Sequence, residues 1–88
     1  MIVRTDPKFD KHYIMRIASN KKLDKQFQVR IRLLSSDPKH PLLKLHKLSG
    51  NLENLYSFSI TGDIRVLFEK ISDNEIMLRD IGSHNQVY

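Results

Sequence analysis

The sequence contains no cysteine, which excludes disulfides and thiolate metal sites. No apolar run approaches the length needed to cross a membrane. The opening MIVRTDPKFDKHY has no apolar core of the secretory kind. No Walker loop, dinucleotide fingerprint or zinc-ligand pair at helical spacing occurs, so neither a metal nor a cofactor is expected. Internal repeats and low-complexity segments are also missing. These absences fit a cytoplasmic protein that works with its own side chains and has no membrane partner.

Acidic residues are scarce in one half. Residues 1–47 hold twelve Lys/Arg against four Asp/Glu, whereas residues 48–88 hold three against six. A basic half beside an acidic one suits a polyanionic partner such as nucleic acid. The plainer reading is a set of lysines lining exposed helical faces. The 88 residues, 40% hydrophobic and 28% charged, make one folded domain over 1–88 with a limited core.

The pattern predicts an α+β fold. MIVRT reads as a first strand. Asp6 followed by Pro7 is an N-cap with proline at the first helical position. It predicts a helix over Pro7 to Ile17, with Phe9, Tyr13, Ile14 and Ile17 on its apolar face. A second helix is expected from Leu23 to Leu34, where Leu23, Phe27, Ile31 and Leu34 form one stripe. Its partner stretch SSDPKHP ends it with two prolines. The period then changes. LYSFSIT alternates, with Tyr56, Phe58 and Ile60 on one face and Ser57, Ser59 and Thr61 on the other. IRVLFEK and EIMLRDI follow, separated by turn signals. An N-terminal strand and a helical hairpin are therefore expected to pack on a twisted antiparallel sheet, with a short extra strand near Leu43 to Leu48.

Four histidines are available for proton transfer. His12 is expected on the surface of the first helix and His40 in a proline-flanked loop. His46 falls at the sheet edge and His84 after the last strand. Each reads most simply as an ordinary surface histidine. Their company changes the weighting: Arg65 and Arg79 interrupt apolar strands, and a charge in a half-buried strand lies on its open face. That face is expected to gather Ser57, Ser59, Arg65 and one or both of His46 and His84.

These residues carry a resemblance. The segment LHKLSGNLENLYSFSITGDIRVLFEKISDNEIMLRDIGSHNQVY resembles the C-terminal two-thirds of the RelE/ParE toxin superfamily, near its RelE/StbE and YafQ-like branches. The carriers are an H-x-L-x-G stretch, a Tyr-led strand, a D-x-R-V strand and the closing IGSHNQVY. The helical hairpin with KKLDKQF fits the same superfamily, so nearly the whole chain is covered. The resemblance implies a toxin of a type II toxin–antitoxin pair that enters the 70S ribosome and cuts mRNA there. The implied partners are a cognate antitoxin, in a hetero-oligomer, and the ribosome with its mRNA. Two alternatives share the fold: a ParE-like gyrase inhibitor, or an inactive binding module.

By resemblance, His46, Asp63, Arg65, His84 and Tyr88 fall on catalytic positions, and Lys44, Lys47, Ser57, Ser59 and Arg79 on RNA-binding ones. Relatives carry lysines where Ser57 and Ser59 stand here, a second histidine at Ser59, and an arginine at Asp80. Arg79 would point to the opposite face of a regular strand. The reaction the resemblance implies needs a base for the 2′-hydroxyl, an acid for the 5′ leaving oxygen and cations for the phosphorane. His46 and His84 suit the two proton roles in either order. Arg65 suits the phosphate. Tyr88 suits stacking on a splayed base or donating a proton. Asp63 either orients a histidine or caps its turn.

Overall fold

A computed structural model of the protein describes residues 1–48 and 54–88. The elements are β1 (Ile2–Thr5), α1 (Pro7–Arg16), α2 (Lys21–Ser36), a 3-10 turn (Pro41–Leu43), β2 (His46–Lys47), β3 (Leu55–Ser59), β4 (Ile64–Ser72), β5 (Glu75–Ser83) and α3 (His84–Val87). The helix starts follow from local chemistry. The Asp6 carboxylate accepts from the Phe9 N–H at 2.8 Å, with Pro7 next in line where its missing N–H costs nothing. Asn20 accepts from the Lys22 and Leu23 N–H groups at 3.1 and 3.2 Å. That cap starts α2 two residues before the expected Leu23, and the helix runs two past Leu34.

The five strands lie in the order β1-β5-β4-β3-β2. The meander β2 to β5 is antiparallel as expected. β1 pairs with β5 in parallel, so the sheet is mixed, a pairing that nothing in the local pattern announces. Around Leu43 to Leu48, the expected extra strand is only the two residues of β2, preceded by the 3-10 turn. Ser49 and Gly50 of the H-x-L-x-G stretch lie outside the described residues.

One cluster of buried side chains joins Phe9 and Ile17 of the α1 segment, Phe27 and Leu34 of α2, and Phe58, Val66, Phe68, Leu78 and Ile81 of the sheet. Phe9, Tyr13 and Phe27 form an aromatic triangle with centroids 5.0–6.0 Å apart. Ile14 is a correction: it is 70% exposed. A helix turns about 100° per residue, so Ile14 sits a quarter-turn beyond the Phe9–Tyr13–Ile17 stripe.

Candidate functional site

The register of the sheet sets the site. His46 of β2 stands opposite Ser57 of β3. Two residues along β3, Ser59 stands opposite Arg65 of β4, and Arg65 opposite Gly82 of β5. Directly opposed residues share a face, and alternation keeps Ser57 and Ser59 together on it. One face therefore carries His46, both serines and Arg65, and ends at the strand exit that leads to His84.

Ser57 and Ser59 are not on an open surface. Both are buried, because other groups of the site lie over them. The Ser57 Oγ is 3.3 Å from Nε2 and 3.4 Å from Nδ1 of His46. An oxygen equidistant from both ring nitrogens follows neither in-plane direction, so this contact is mainly packing. His46 Nδ1 also lies 3.2 Å from the Lys44 carbonyl. A proton on Nδ1 donated there leaves the Nε2 lone pair free, and the ring itself is exposed. Ser59 Oγ accepts from Arg65 Nη1 at 2.9 Å. Arg65 Nε is buried with no acceptor among the described residues.

The turn between β3 and β4 is held by Thr61, whose Oγ1 accepts from the Asp63 and Ile64 N–H groups at 3.2 and 3.0 Å. Thr61 is therefore the residue that caps the turn. The Asp63 side chain is exposed and engages no described residue. Ile64 opposes Ser83, so Asp63 and His84 leave the sheet at the same end.

β5 continues through Gly82 to Ser83, past the expected stop at Ile81, and the tail folds into the single turn of α3. Gln86 Oε1 accepts from the Ser83 N–H at 2.8 Å, one half of a capping box. The turn stacks His84 against Tyr88, centroids 4.6 Å apart and edge-on. Both side chains are exposed.

The other basic candidates are differently placed. Lys44 is exposed with a left-handed backbone, φ 46°. Lys47 opposes Tyr56, so it projects to the other side of the sheet from His46. Arg79 is the extra residue of a bulge, since Leu67 opposes Asp80 while Phe68 opposes Leu78. The regular alternation expected around it does not hold. Its guanidinium binds Glu69 and, at 3.2 Å, Asp6. The hydrogen bond to Glu69, then that to Asp6, holds the Arg79 pKa above its ordinary value.

Three features escaped the sequence pattern. His12, expected on the surface, is largely covered and lies with Nδ1 2.6 Å from Asp80 Oδ1. Asp80 is 4% exposed and also meets Lys8 Nζ at 3.7 Å, Arg16 Nη1 at 3.5 Å and the Ile81 N–H at 2.8 Å. Arg30 of α2 donates to the Leu42 and Ser59 carbonyls at 2.7 and 2.8 Å, which fixes the end of β3. The i, i+4, i+8 spacing of Lys8, His12 and Arg16 was a readable stripe, but nothing local paired it with Asp80.

A helical hairpin on this sheet is the architecture of RelE-fold toxins. The chain aligns with YafQ from the E. coli DinJ–YafQ complex at a TM-score of 0.82 and 15% identity, covering 98% of this chain and 96% of that one. A metal-bound toxin from Helicobacter pylori aligns at 0.78 and 25% identity, over 100% and 99%. The YoeB dimer from Staphylococcus aureus aligns at 0.77 and 21%, over 96% and 97%. No curated protein sequence matches. Residues 1–88 match the family described as "Bacterial toxin of type II toxin-antitoxin system, YafQ", and the chain belongs to that family.

Proposed function

We propose that this toxin is a ribosome-dependent mRNA endonuclease of the cytoplasm, a single catalytic domain held in check by a cognate antitoxin. The observation that carries this reading is Arg65. Its guanidinium is anchored on Ser59, its Nε has no acceptor among the described residues, and it stands between the strand of His46 and the turn of His84. A buried donor without a partner is costly and calls for an explanation. A phosphate that draws the fork outward supplies two oxygens to it.

The chemistry then runs on this chain's own groups. One histidine takes the proton of the 2′-hydroxyl, whose oxygen attacks the adjacent phosphorus. The other gives a proton to the departing 5′ oxygen, and a 2′,3′-cyclic phosphate remains. His46, with Nδ1 directed to the Lys44 carbonyl, is suited to act as base through Nε2. His84 is the acid, and Tyr88, edge-on to it, offers a ring for an unstacked base. Asp63 works from the same end as His84. Ser57 and Ser59 act beneath His46 and Arg65 as supports, Lys44 attracts the backbone, and Arg79 and Lys47 lie aside from the row. The rest of the orientation comes from the ribosome.

The antitoxin proposal rests on the family and on the DinJ–YafQ complex of E. coli. Its seat is an open apolar groove of about 450 Å³ lined by Val3, Phe9, Tyr13, Phe27, Ile31 and Leu78. The test of function is mRNA 5′-end mapping on programmed ribosomes. New 5′ ends that require the ribosome and disappear in His84→Ala support the reading. Intact mRNA together with inhibited gyrase supercoiling overturns it.

A further inference from the structure

We infer that Arg16 is a second phosphate-binding arginine of the site, entering it from α1 across Gly82. The inference rests on the endonuclease reading for its substrate, an RNA phosphodiester, and on independent geometry for its residue. A Cβ built on Gly82 would lie 2.8 Å from Arg16 Nη1 and 2.6 Å from Gln86 Oε1. The guanidinium therefore occupies the space that any other residue at position 82 would fill.

That space is on the face of Arg65. Gly82 and Arg65 are directly opposed, and opposed Cβ atoms share a face at about 5 Å separation. Arg16 Nη1 thus lies within roughly 8 Å of the Arg65 Cβ, on the neighbouring strand. An arginine side chain spans such a distance, so both forks can reach one phosphodiester. Gln86 and His84 belong to the turn that borders the same space.

Arg16 is also held ready. Its Nη1 donates to the Ile81 carbonyl at 2.9 Å and lies 3.5 Å from Asp80 Oδ1. Among the described residues, its other guanidinium nitrogens make no hydrogen bond, and the side chain is 21% exposed. One nitrogen fixes the group, and the side chain keeps an exposed part. Here β5 carries the carboxylate, and the cation comes from α1 to meet it.

The test measures binding of a single-stranded hexanucleotide RNA with 2′-O-methyl groups, which cannot be cleaved, as a function of salt. Each lost phosphate contact lowers the slope of log K against log salt by about 0.7 for single strands. Arg16→Gln should show that loss and lower ribosome-dependent cleavage on the order of tenfold or more. Arg16→Lys should keep the slope. Gly82→Ala, which displaces the guanidinium but keeps its charge, should weaken binding while circular dichroism reports a folded protein.

An unchanged slope in Arg16→Gln overturns the inference even if cleavage falls, because the residue then only holds the Ile81 carbonyl. Should that variant not fold, wild-type binding by Gly82→Ala overturns it instead. A wild type with no measurable affinity for the oligonucleotide overturns it as well. A wild type that binds the oligonucleotide but leaves ribosomal mRNA intact ends the endonuclease reading, while the slope still decides Arg16.

Discussion

Removing the charge of Asp80 should unfasten α1 from the end of β5. Asp80→Asn keeps the shape and still accepts from the Ile81 N–H. It loses the ionic contacts to Arg16 at 3.5 Å and Lys8 at 3.7 Å, and weakens the hydrogen bond with His12 at 2.6 Å. Breaking a fully buried pair costs about 3–5 kcal/mol. The carboxylate is buried, but the side chains of Arg16 and His12 remain about one-fifth exposed and Lys8 is 65% exposed, so water recovers part of the loss. The expected destabilisation is about 2–3 kcal/mol. A domain of this size has a total stability of only about 4–13 kcal/mol. Each kcal/mol moves its midpoint by about 4–8 °C, so the melting temperature should fall by about 10–20 °C. Lys8→Ala is the control, worth less than about 1 kcal/mol at its exposure. Thermal unfolding followed by circular dichroism reads both. A drop under about 3 °C for Asp80→Asn, or one matched by Lys8→Ala, would refute the anchoring role of the buried carboxylate.

His84→Ala should lower ribosome-dependent cleavage by about 10²–10⁴-fold with little change in melting temperature, since the ring is exposed. Tyr88→Phe should retain most of the rate and Tyr88→Ala should not, if stacking dominates; equal losses in both would assign Tyr88 a proton role. Arg30→Met strips a donor from the Leu42 and Ser59 carbonyls and should cost about 1–3 kcal/mol in urea unfolding, loosening Ser59 beneath Arg65. Burial, then the hydrogen bond from Tyr13 to Asp24 and the Asp24 charge, raise the Tyr13 pKa above its ordinary value of 10.0. The folded state thus holds its proton after the unfolded chain has lost it, and stability falls as pH rises above about 10. Wild type should therefore lose up to about 1.4 kcal/mol per pH unit relative to Tyr13→Phe in that range; parallel pH curves would exclude the effect.

The fold was legible where signals are local. Asp6 and Pro7 mark the start of α1 because a cap needs only three residues to act. Tyr56, Phe58 and Ile60 mark β3 because alternation is a property of one strand. Legibility ends where the cause is distant. Arg4 and Glu75, ion-paired at 2.5 Å, are 71 positions apart, and no local pattern joins β1 to β5. Arg79 departs from the expected alternation because it is the extra residue of a bulge. Ser57 and Ser59, expected on the open face, are buried, since alternation separates faces without saying what covers them. His46 and Arg65 do the covering. The candidate residues of the row were legible from type and resemblance, whereas Arg16 was not, because its place depends on the missing side chain of Gly82.

That dependence explains how a basic site can be tolerated before any anion arrives. Arg65 has one fork nitrogen on Ser59 and a buried Nε without an acceptor among the described residues, a cost of about 1–3 kcal/mol. Arg16 lies over Gly82, which opposes Arg65, so the two positive charges repel. Asp80, two residues before Gly82 on β5, offsets this with a carboxylate engaged by α1 and by the Ile81 N–H. On the endonuclease reading proposed above, a phosphate reaching Arg65 relieves its unpaired donor and the repulsion together. Both gains grow as negative charge accumulates on the phosphorane oxygens. The energy stored in the free site is therefore returned more fully in the transition state than in the bound substrate, which is what accelerates a reaction.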